Sequence, residues 1–292
     1  MTPAAPRVAF IGFGALASSF ATGFRNAPSI KAYARPRADG ESGDGRIEAA
    51  GVVACASIAE AVGDVDVVVA AVPAAAAEAV AHECVQALAP ATLYVDPAPL
   101  DPGTKERLAA RFADVGAEYV DAAVLGTVET EGFRVPLLLS GPGAARFAQS
   151  VEPLGFVVSI IDGPAGRASL VKLLRSVFTK GRDALILEML LAARRYDVES
   201  VVLESFAGKG ESVTFPELAN RVLGSLALYA DRRAAELDTC AEVLLAGEVD
   251  PVMTQAGAAR LRRMGRLDLR SHFANERPGS LVEVLDALDG LR

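Results

Sequence analysis

The sequence of 292 residues has few of the residues that build metal or disulfide sites. It contains three cysteines, two histidines and no tryptophan. Cys55, Cys84 and Cys240 lie far apart, and neither His82 nor His272 stands at ligand spacing from them. We therefore expect no structural metal and a reducing compartment, in which thiols stay free.

Positive charge is also scarce, because Lys and Arg number 29 against 37 for Asp and Glu, which gives a formal net charge of −8. Such a surface repels phosphate backbones and anionic lipid, so we expect neither nucleic-acid nor membrane binding. The longest uncharged apolar run, 67–77, is broken by Pro73 and is much shorter than the ~20 residues of a bilayer helix. No secretory signal is recognisable before the first apolar strand, so we expect a cytoplasmic protein.

Apolar residues make up 51% of the chain, enough for one large or two medium domains. In the first half, short β-branched runs alternate with alanine-rich helical stretches, which is typical of a parallel sheet covered on both faces. The predicted strands are 8–11, 30–34, 65–71, 92–95, 118–121, 136–140 and 157–161.

The second half contains helical patterns and little strand signal. They run through Ala193 and over 214–237, 240–245 and 281–291, after a Gly and Pro turn at 162–166. The sequence predicts an α/β protein in which a doubly wound, mostly parallel Rossmann sheet, residues 1–163, binds NADP. An all-α domain, residues 164–292, follows and serves substrate binding and dimerisation.

A glycine motif directly follows the first strand. Gly12, Gly14 and Ala17 match the pattern of a tight turn, a close approach to pyrophosphate and a close helix–strand contact. Exposed N–H groups at the start of the next helix would then hold the anion. The alternative is a simple turn before an amphipathic helix. The predicted cofactor-binding residues here are Gly12, Phe13, Gly14, Ala15 and Leu16.

The end of the second predicted strand favours NADP(H) over NAD(H). Arg35 stands 21 positions after Gly14, where an NAD site places Asp or Glu. A guanidinium suits a 2′-phosphate, and Arg37 would form the other side of the clamp. The alternative is that both arginines lie solvated on a surface loop.

Val72 and Pro73 end the predicted strand 65–71 at the edge where an open sheet binds ligands. We expect them to lie under the nicotinamide ribose. A buried strand that simply stops at a proline is an equally good interpretation.

The order of these motifs resembles the β-hydroxyacid dehydrogenase superfamily, which contains 6-phosphogluconate and 3-hydroxyisobutyrate dehydrogenases. The resemblance continues through 96–104, 121–126 and a lysine early in a long helix. Residues 134–143 and 170–181 are most similar to its subgroup of phosphogluconate-dehydrogenase-like proteins of undefined substrate.

The resemblance implies hydride exchange between a nicotinamide and a carbinol or carbonyl carbon of a hydroxyacid or oxoacid. Lys172 would be the general acid/base, because partial desolvation lowers a lysine pKa toward neutrality. Ala98 lies where relatives carry polar residues near the nicotinamide. Leu125, Gly126 and Thr127 replace a Ser-Gly-Gly substrate loop, and Ser176 replaces an asparagine. These departures disfavour 6-phosphogluconate and indicate a less polar substrate.

Polar residues share the helical face of Lys172, opposite an apolar face. This stripe either lines a cleft or faces water. His272 is either a second polar group of the site or a surface residue, and Cys84 and Cys240 are expected to be inert packing thiols. The resemblance implies a homodimer formed through the C-terminal helices. The polar stripe contains Arg175, Ser176, Thr179, Lys180 and Asp183, and the apolar face contains Leu170, Leu173, Leu174 and Val177.

Two alternative functions remain open on the same scaffold. One is an imine reductase, although such relatives usually carry Asp or Tyr at the position of Lys172. The other is a protein that binds NADPH without catalysis.

Overall fold

The computed structural model describes residues 5–34, 44–206 and 214–291. The chain divides into two compact units, Met1–Ser176 and Val177–Arg292. The first ten residues of the long helix that begins at Arg167 therefore belong with the sheet. The boundary after residue 163 that the sequence suggests stays a prediction.

The first unit contains an eight-stranded sheet of order β3-β2-β1-β4-β5-β6-β7-β8. Neighbouring strands are parallel except for β6 and β7, which pair antiparallel. This confirms the predicted doubly wound, mostly parallel sheet. The strands are β1 Val8–Ile11, β2 Ile30–Tyr33, β3 Val53–Ala54, β4 Val67–Ala70, β5 Leu93–Asp96, β6 Glu118–Val124, β7 Leu137–Ser140 and β8 Val158–Ile160.

Helices separate most of these strands. The strand order reverses beside β1, because the chain passes from β1 to β2 and β3 on one side and returns to β4 on the other. The carboxyl ends of β1 and β4 therefore flank the crevice in which open α/β sheets bind ligands. The helices that begin in this unit are α1 Ala15–Gly23, α2 Asp44–Ala49, α3 Ile58–Val62, α4 Ala74–Val85, α5 Pro102–Asp114, α6 Val128–Glu131, α7 Ala144–Val151 and α8 Arg167–Arg195.

The core of this unit consists of two apolar layers, one on each face of the sheet. Side chains alternate along β1, so Phe10 packs in one layer while Ala9 and Ile11 pack in the other. All four residues of β1, β4 and β5 are buried. This two-sided burial explains why these strands are continuous apolar runs in the sequence.

In its described residues, the second unit contains helices and no strand. Helix α10 continues past the break predicted between 237 and 240, and its one irregular residue is Tyr229, with φ −132°. Helix α11 is missing from the sequence prediction, since it contains three arginines and only four apolar side chains larger than alanine. Besides the second part of α8, the helices are α9 Glu199–Phe206, α10 Phe215–Ala246, α11 Val252–Gly265, α12 Leu269–His272 and α13 Leu281–Gly290.

Two of the predicted thiol environments differ in outcome. Cys84 is buried in α4, as expected, whereas the prediction that Cys240 packs inside the protein is wrong, because it is exposed. Its neighbour Ala241 is the buried residue, and successive helical residues point about 100° apart. Nowhere in the described ranges does a helix have the length and apolarity to span a membrane.

Candidate functional site

A cavity of about 320 Å³ lies at the carboxyl end of β1. Five of the predicted cofactor residues line it together: Gly12, Phe13 and Gly14 from the turn after β1, and Val72 and Pro73 from the turn after β4. The structure thus joins two segments that are 60 residues apart in the chain. The other lining residues are Ile11, Tyr33, Ala34, Arg46, Ile58, Ala71, Ala76 and Val80.

Gly12 occupies a position that no other residue fits. Its φ is +83°, and a Cβ atom there would lie 2.4 Å from the carbonyl oxygen of Ala71. Its N–H donates to the carbonyl of Tyr33 at 2.8 Å. The turn is therefore held tightly between β2 and the end of β4.

Gly14, in contrast to Gly12, lies beside open space. It is the N-cap residue of α1, and a Cβ atom there would have no heavy atom within 4 Å. Among the described residues, no side chain caps this end of α1. Ala15 and Leu16 form the first helical turn, whose N–H groups favour an anion. The arrangement fits the pyrophosphate of a dinucleotide.

Arg35 and Arg37 lie outside the described residues, so the structure gives no position for the predicted 2′-phosphate clamp. A different cation, Arg46 of α2, lines the cavity. Sequence reasoning missed it because it belongs to no motif and follows a segment rich in Gly, Asp and Ser.

A buried ionic cluster lies between the carboxyl end of β5 and the middle of the neighbouring strand β6. Asp96 and Asp121 are paired in register across these strands. Lys105 of α5 has no solvent exposure, and its ammonium group lies 2.8 Å from Asp121 Oδ1 and 2.9 Å from the Asp96 carbonyl oxygen. The nearer carboxylate oxygen of Asp96 is 3.6 Å away. Lys105 is thus a fully buried cation with two anionic neighbours.

The same Asp121 carboxylate binds the beginning of α8. Its Oδ2 accepts hydrogen bonds from the N–H of Gly166 and of Ser169, both at 2.9 Å, and from the hydroxyl of Ser140 at 3.0 Å. Its Oδ1 accepts the Ser169 hydroxyl at 2.6 Å. The pKa of Asp121 is lowered: burial raises it, but the charge of Lys105 and the hydrogen bonds lower it by more. The carboxylate is therefore charged near neutral pH.

Ala98 holds the second carboxylate in place. Its N–H donates to Asp96 Oδ1 at 2.8 Å, and the Tyr119 hydroxyl donates to Oδ2. Burial, followed by the charge of Asp96, raises the pKa of Tyr119, so this hydroxyl keeps its proton. The predicted cofactor residue Ala98 is itself buried and orients Asp96 through its backbone.

Lys172 is half-buried, on the second turn of α8. Its pKa is lowered, first by burial and then by the positive charge of Lys105, with a further lowering by Arg175. The carboxylates of Asp121 and Asp96 oppose this change. The environment of Lys172 thus disfavours the charged form of its side chain.

The predicted substrate residues are tied to this helix and to each other. The guanidinium of Arg175 donates to the carbonyl of Leu125, and the Ser176 hydroxyl donates to the Lys172 carbonyl at 2.9 Å. The N–H of Thr127 donates to Glu131 Oε2 at 2.8 Å.

The same carboxylate crowds Gly126, because a Cβ atom at that position would lie 2.0 Å from Glu131 Oε2. An anionic substrate would have to displace the Glu131 carboxylate to reach the Thr127 amide. The backbone N–H of Thr127 in the predicted substrate loop is therefore occupied by the protein's own Glu131 side chain in this conformation.

The remaining members of the polar stripe, Thr179, Lys180 and Asp183, belong to the second unit, and the side chain of Asp183 lies outside the described part. His272 is exposed on α12, with its ring 4.8 Å from that of Phe273. The apolar face of α8 that the sequence indicates is not the buried one, because Leu174 on it is 63% exposed, whereas Lys172 on the polar stripe is half-buried.

Sequence reasoning missed the roles of Lys105, Asp96 and Asp121. A usable signal existed for the two aspartates, since Asp96 ends the apolar strand β5 and Asp121 interrupts the apolar strand β6. No such signal marks Lys105, which sits in a polar helical stretch. Within 5–34, 44–206 and 214–291, no group of three or more His, Cys, Asp or Glu side chains is arranged to hold a metal ion.

Comparison with known families assigns the two parts of the chain differently. Residues 7–153, half of the chain, match the model described as the NAD binding domain of 6-phosphogluconate dehydrogenase. Residues 193–264 match a domain of unknown function (DUF1932). An uncharacterized 28.5 kDa protein in the 7S RNA 5′ region of Methanothermus fervidus is 26% identical over 248 residues, covering 85% of this chain and 94% of that protein.

Solved structures share the fold over most of the chain. Conserved protein MTH1747, of unknown function and described as structurally similar to 3-hydroxyacid dehydrogenases, is 28% identical, with a TM-score of 0.56 and coverage of 90% of this chain and 99% of that one. The imine reductase from Myxococcus stipitatus, solved with NADP+, is 16% identical, with a TM-score of 0.73 and coverage of 89% and 94%. At that identity the likeness shows the fold alone.

Proposed function

Because the chain belongs to the family of the NAD binding domain of 6-phosphogluconate dehydrogenase, we propose that it is an NADP(H)-dependent oxidoreductase with Lys172 as general acid/base. The observation that carries the proposal is the half-buried Lys172, whose pKa is lowered by burial and by Lys105. It lies in the same compact unit as the glycine-lined cavity.

The cofactor is held by the turn after β1. Gly14 and the first N–H groups of α1 bind the pyrophosphate, and Val72 and Pro73 lie against the nicotinamide ribose. Arg35 and Arg37, which lie outside the described residues, would bind the 2′-phosphate, and Arg46 is a cation that lines this cavity. The NADP+ bound to the imine reductase of the same fold supports the choice of NADP(H).

The chemistry that a nicotinamide supplies is hydride transfer to or from a carbon atom. Lys172 handles the accompanying proton. In oxidation its neutral amine takes the proton of the substrate alcohol, and in reduction its ammonium group donates a proton to the carbonyl oxygen. Burial disfavours the charged form and so lowers the pH at which Lys172 gives up its proton.

The substrate is a hydroxyacid or oxoacid that is less polar than 6-phosphogluconate. Leu125 presents an apolar side chain in the place of a serine of the resembled loop. Glu131 already occupies the Thr127 amide, which disfavours a second anionic group there. Arg175, exposed beside Lys172, provides one cation for a single carboxylate.

We also propose a homodimer. Large apolar side chains of the second unit are exposed to an extent unusual for a monomer, with Leu187 at 61%, Leu203 at 55% and Phe206 at 66%. Covering them with a second copy would remove this area from water.

Calorimetric titration with NADPH and NADH tests the cofactor. Tight NADPH binding and weak NADH binding are expected, with a loss of about tenfold or more in NADPH affinity for Arg35→Ala. Arg25→Ala is the matched control, because Arg25 is exposed outside the cavity. Binding of neither nucleotide would refute the proposal.

Measuring the oxidation of NADPH in the presence of candidate substrates tests the proposed reaction. The candidates are 2- and 3-oxo acids, simple ketones and cyclic imines. Lys172→Ala should lose at least about a hundredfold in kcat while keeping NADPH affinity. Lys180→Ala, on the exposed part of the same helix, should keep full turnover. Turnover of imines alone identifies an imine reductase, and NADPH binding without any oxidation identifies a non-catalytic protein; either result contradicts the proposal.

A further inference from the structure

We infer that Lys105 is a positioning residue for Lys172, acting through Asp121, whose carboxylate it holds in the orientation that fixes the first turn of α8. The inference rests on the proposed role of Lys172. Lys105 itself has no solvent exposure and is not among the residues that line the cavity. It therefore acts through other residues and touches neither cofactor nor substrate.

The buried ammonium group of Lys105 is held by atoms of two strands. It lies within hydrogen-bond distance of the Asp96 carbonyl and of Asp121 Oδ1, at 2.9 and 2.8 Å, with Asp96 Oδ2 at 3.6 Å. A lysine without exposure is tolerated only when its charge is paired and its protons are bound. Lys105 meets both conditions through two strands, so it is locked in one place.

Asp121 connects this buried cluster to the beginning of α8. Asp121 accepts hydrogen bonds from the N–H groups of Gly166 and Ser169 and from the Ser169 hydroxyl. The N–H groups of a first helical turn have no partner inside the helix and favour a carboxylate. Asp121 therefore caps α8 from a neighbouring strand, and Lys105 determines where that carboxylate points.

Ser169 and Lys172 both belong to the beginning of α8. The two residues are three positions apart on one helix, so they lie on the same face. A shift of the first turn consequently moves the Lys172 side chain. Ser176, one turn further, donates to the Lys172 carbonyl and extends the same ordered segment.

Lys105 also affects Lys172 through its positive charge. The groups that influence Lys172 are Lys105 of α5, Asp96 of β5, Asp121 of β6 and Arg175 of α8. Burial lowers the pKa of Lys172 most, Lys105 and Arg175 lower it further, and the two carboxylates raise it. Without Lys105 the carboxylates would act uncompensated, and Lys172 would keep its proton to higher pH.

The test measures Lys172 directly and needs no substrate. Competitive acetylation followed by mass spectrometry gives the pH at which each lysine amine becomes reactive, between about pH 6 and about pH 11. In Lys105→Met the Lys172 curve should move to higher pH, with a loss of roughly threefold or more in reactivity at neutral pH. Lys31 and Lys180 serve as internal controls whose curves should not move.

Asp121→Asn should move the Lys172 curve in the opposite direction, because it removes a carboxylate and leaves Lys105. Should Lys105→Met not fold, the double variant Lys105→Met/Asp121→Asn carries the test, since its buried site keeps the net charge of the parent, with Asp96 as the remaining carboxylate. Its Lys172 curve must lie at higher pH than that of Asp121→Asn. Equal curves, or an unchanged curve in folded Lys105→Met, would overturn the inference.

Turnover separates this inference from the proposed function. If the function holds, folded Lys105→Met should lower kcat for oxidation of the alcohol with NADP+ at neutral pH, with KM for the alcohol nearly unchanged, and raising the pH should restore part of this kcat. A protein without turnover, or with a fully active Lys172→Ala, would refute the function while leaving the acetylation curves interpretable. Altered curves with unaltered kcat would refute the positioning role alone.

Discussion

The carbonyl oxygen of Ala71 lies 2.4 Å from the place that a Cβ atom at Gly12 would occupy. Gly12→Ala therefore introduces both a clash and a strained φ, and we expect it to lower the free energy of unfolding by more than about 1 kcal/mol. Urea unfolding followed by circular dichroism measures this change.

Gly14→Ala is the matched partner of that variant. A Cβ atom at Gly14 meets open space and the residue has an ordinary φ of −94°, so stability should change by less than about 0.5 kcal/mol. If the pyrophosphate approaches this backbone, NADPH affinity should still fall about tenfold or more, because the new methyl group occupies the approach. Unchanged affinity in Gly14→Ala would place the cofactor elsewhere.

These two glycines show which parts of the site the sequence could predict. The contact of Gly12 with the end of β4 follows from the glycine motif and the strand pattern, because both are local and the Rossmann topology joins them. The contact between Asp121 and Ser169 joins positions 48 apart. It depends on the register of β5 and β6 and on where α8 begins, and no periodicity encodes either.

Other elements escaped prediction for local reasons. β3 has only two residues, Val53 and Ala54, both exposed, so it shows no buried run. Helix α11 was missed because only four of its apolar side chains are larger than alanine and its second half contains three arginines. The exposed Leu174 likewise shows that an apolar stripe in the sequence does not identify which face of a helix is buried.

Asp121 should make the fold sensitive to acid. Its pKa is lowered in the folded protein, since the charge of Lys105 and the hydrogen bonds outweigh the effect of burial. The charged carboxylate therefore stabilises the fold above its ordinary pKa of about 3.9, and this contribution is lost as the pH falls through the lower folded value. Asp121→Asn should cost about 3–5 kcal/mol near neutral pH, because it removes the charge of the carboxylate nearest to the buried Lys105, and should reduce the loss on acidification.

Unfolding by urea near pH 7 and near pH 3 measures both effects. Asp64→Asn is the control, because Asp64 forms an exposed ion pair with Arg7. It should change stability much less than Asp121→Asn and keep the acid sensitivity of the parent. Equal acid sensitivity in the parent and in Asp121→Asn would contradict the assignment.

Glu188 should stabilise the second unit by capping α11. Its carboxylate is buried and accepts the N–H groups of Met253 and Thr254, at 2.8 and 2.9 Å, and the Thr254 hydroxyl at 2.5 Å. Glu188→Gln replaces one acceptor oxygen by a donor and should cost about 1–3 kcal/mol. Amide hydrogen exchange at Met253 and Thr254 should accelerate.

The control for that variant is Glu217→Gln. Glu217 accepts the N–H and hydroxyl of Thr214 in an exposed capping box at the start of α10. Water replaces these bonds readily, so a smaller change confined to the first turn of α10 is expected. Unaltered exchange at Met253 in Glu188→Gln would show that the α11 N–H groups find other acceptors.

Lys172 should give the two directions of the reaction opposite pH dependences. Oxidation requires its neutral amine, so kcat for the alcohol should rise as the pH passes the Lys172 pKa. Reduction requires its ammonium group, so kcat for the carbonyl should fall over the same range. Both changes in kcat should occur below the ordinary lysine pKa of about 10.4, because burial and the charge of Lys105 lower the pKa of Lys172.

The measurement is the pH dependence of kcat in each direction, with saturating NADP+ for oxidation and saturating NADPH for reduction. If the two pH profiles reflect the same pKa, a single acid/base group serves both directions. If Lys172→Arg, which keeps the charge but stays protonated, retained the rise of kcat with pH in oxidation, another residue would be the base.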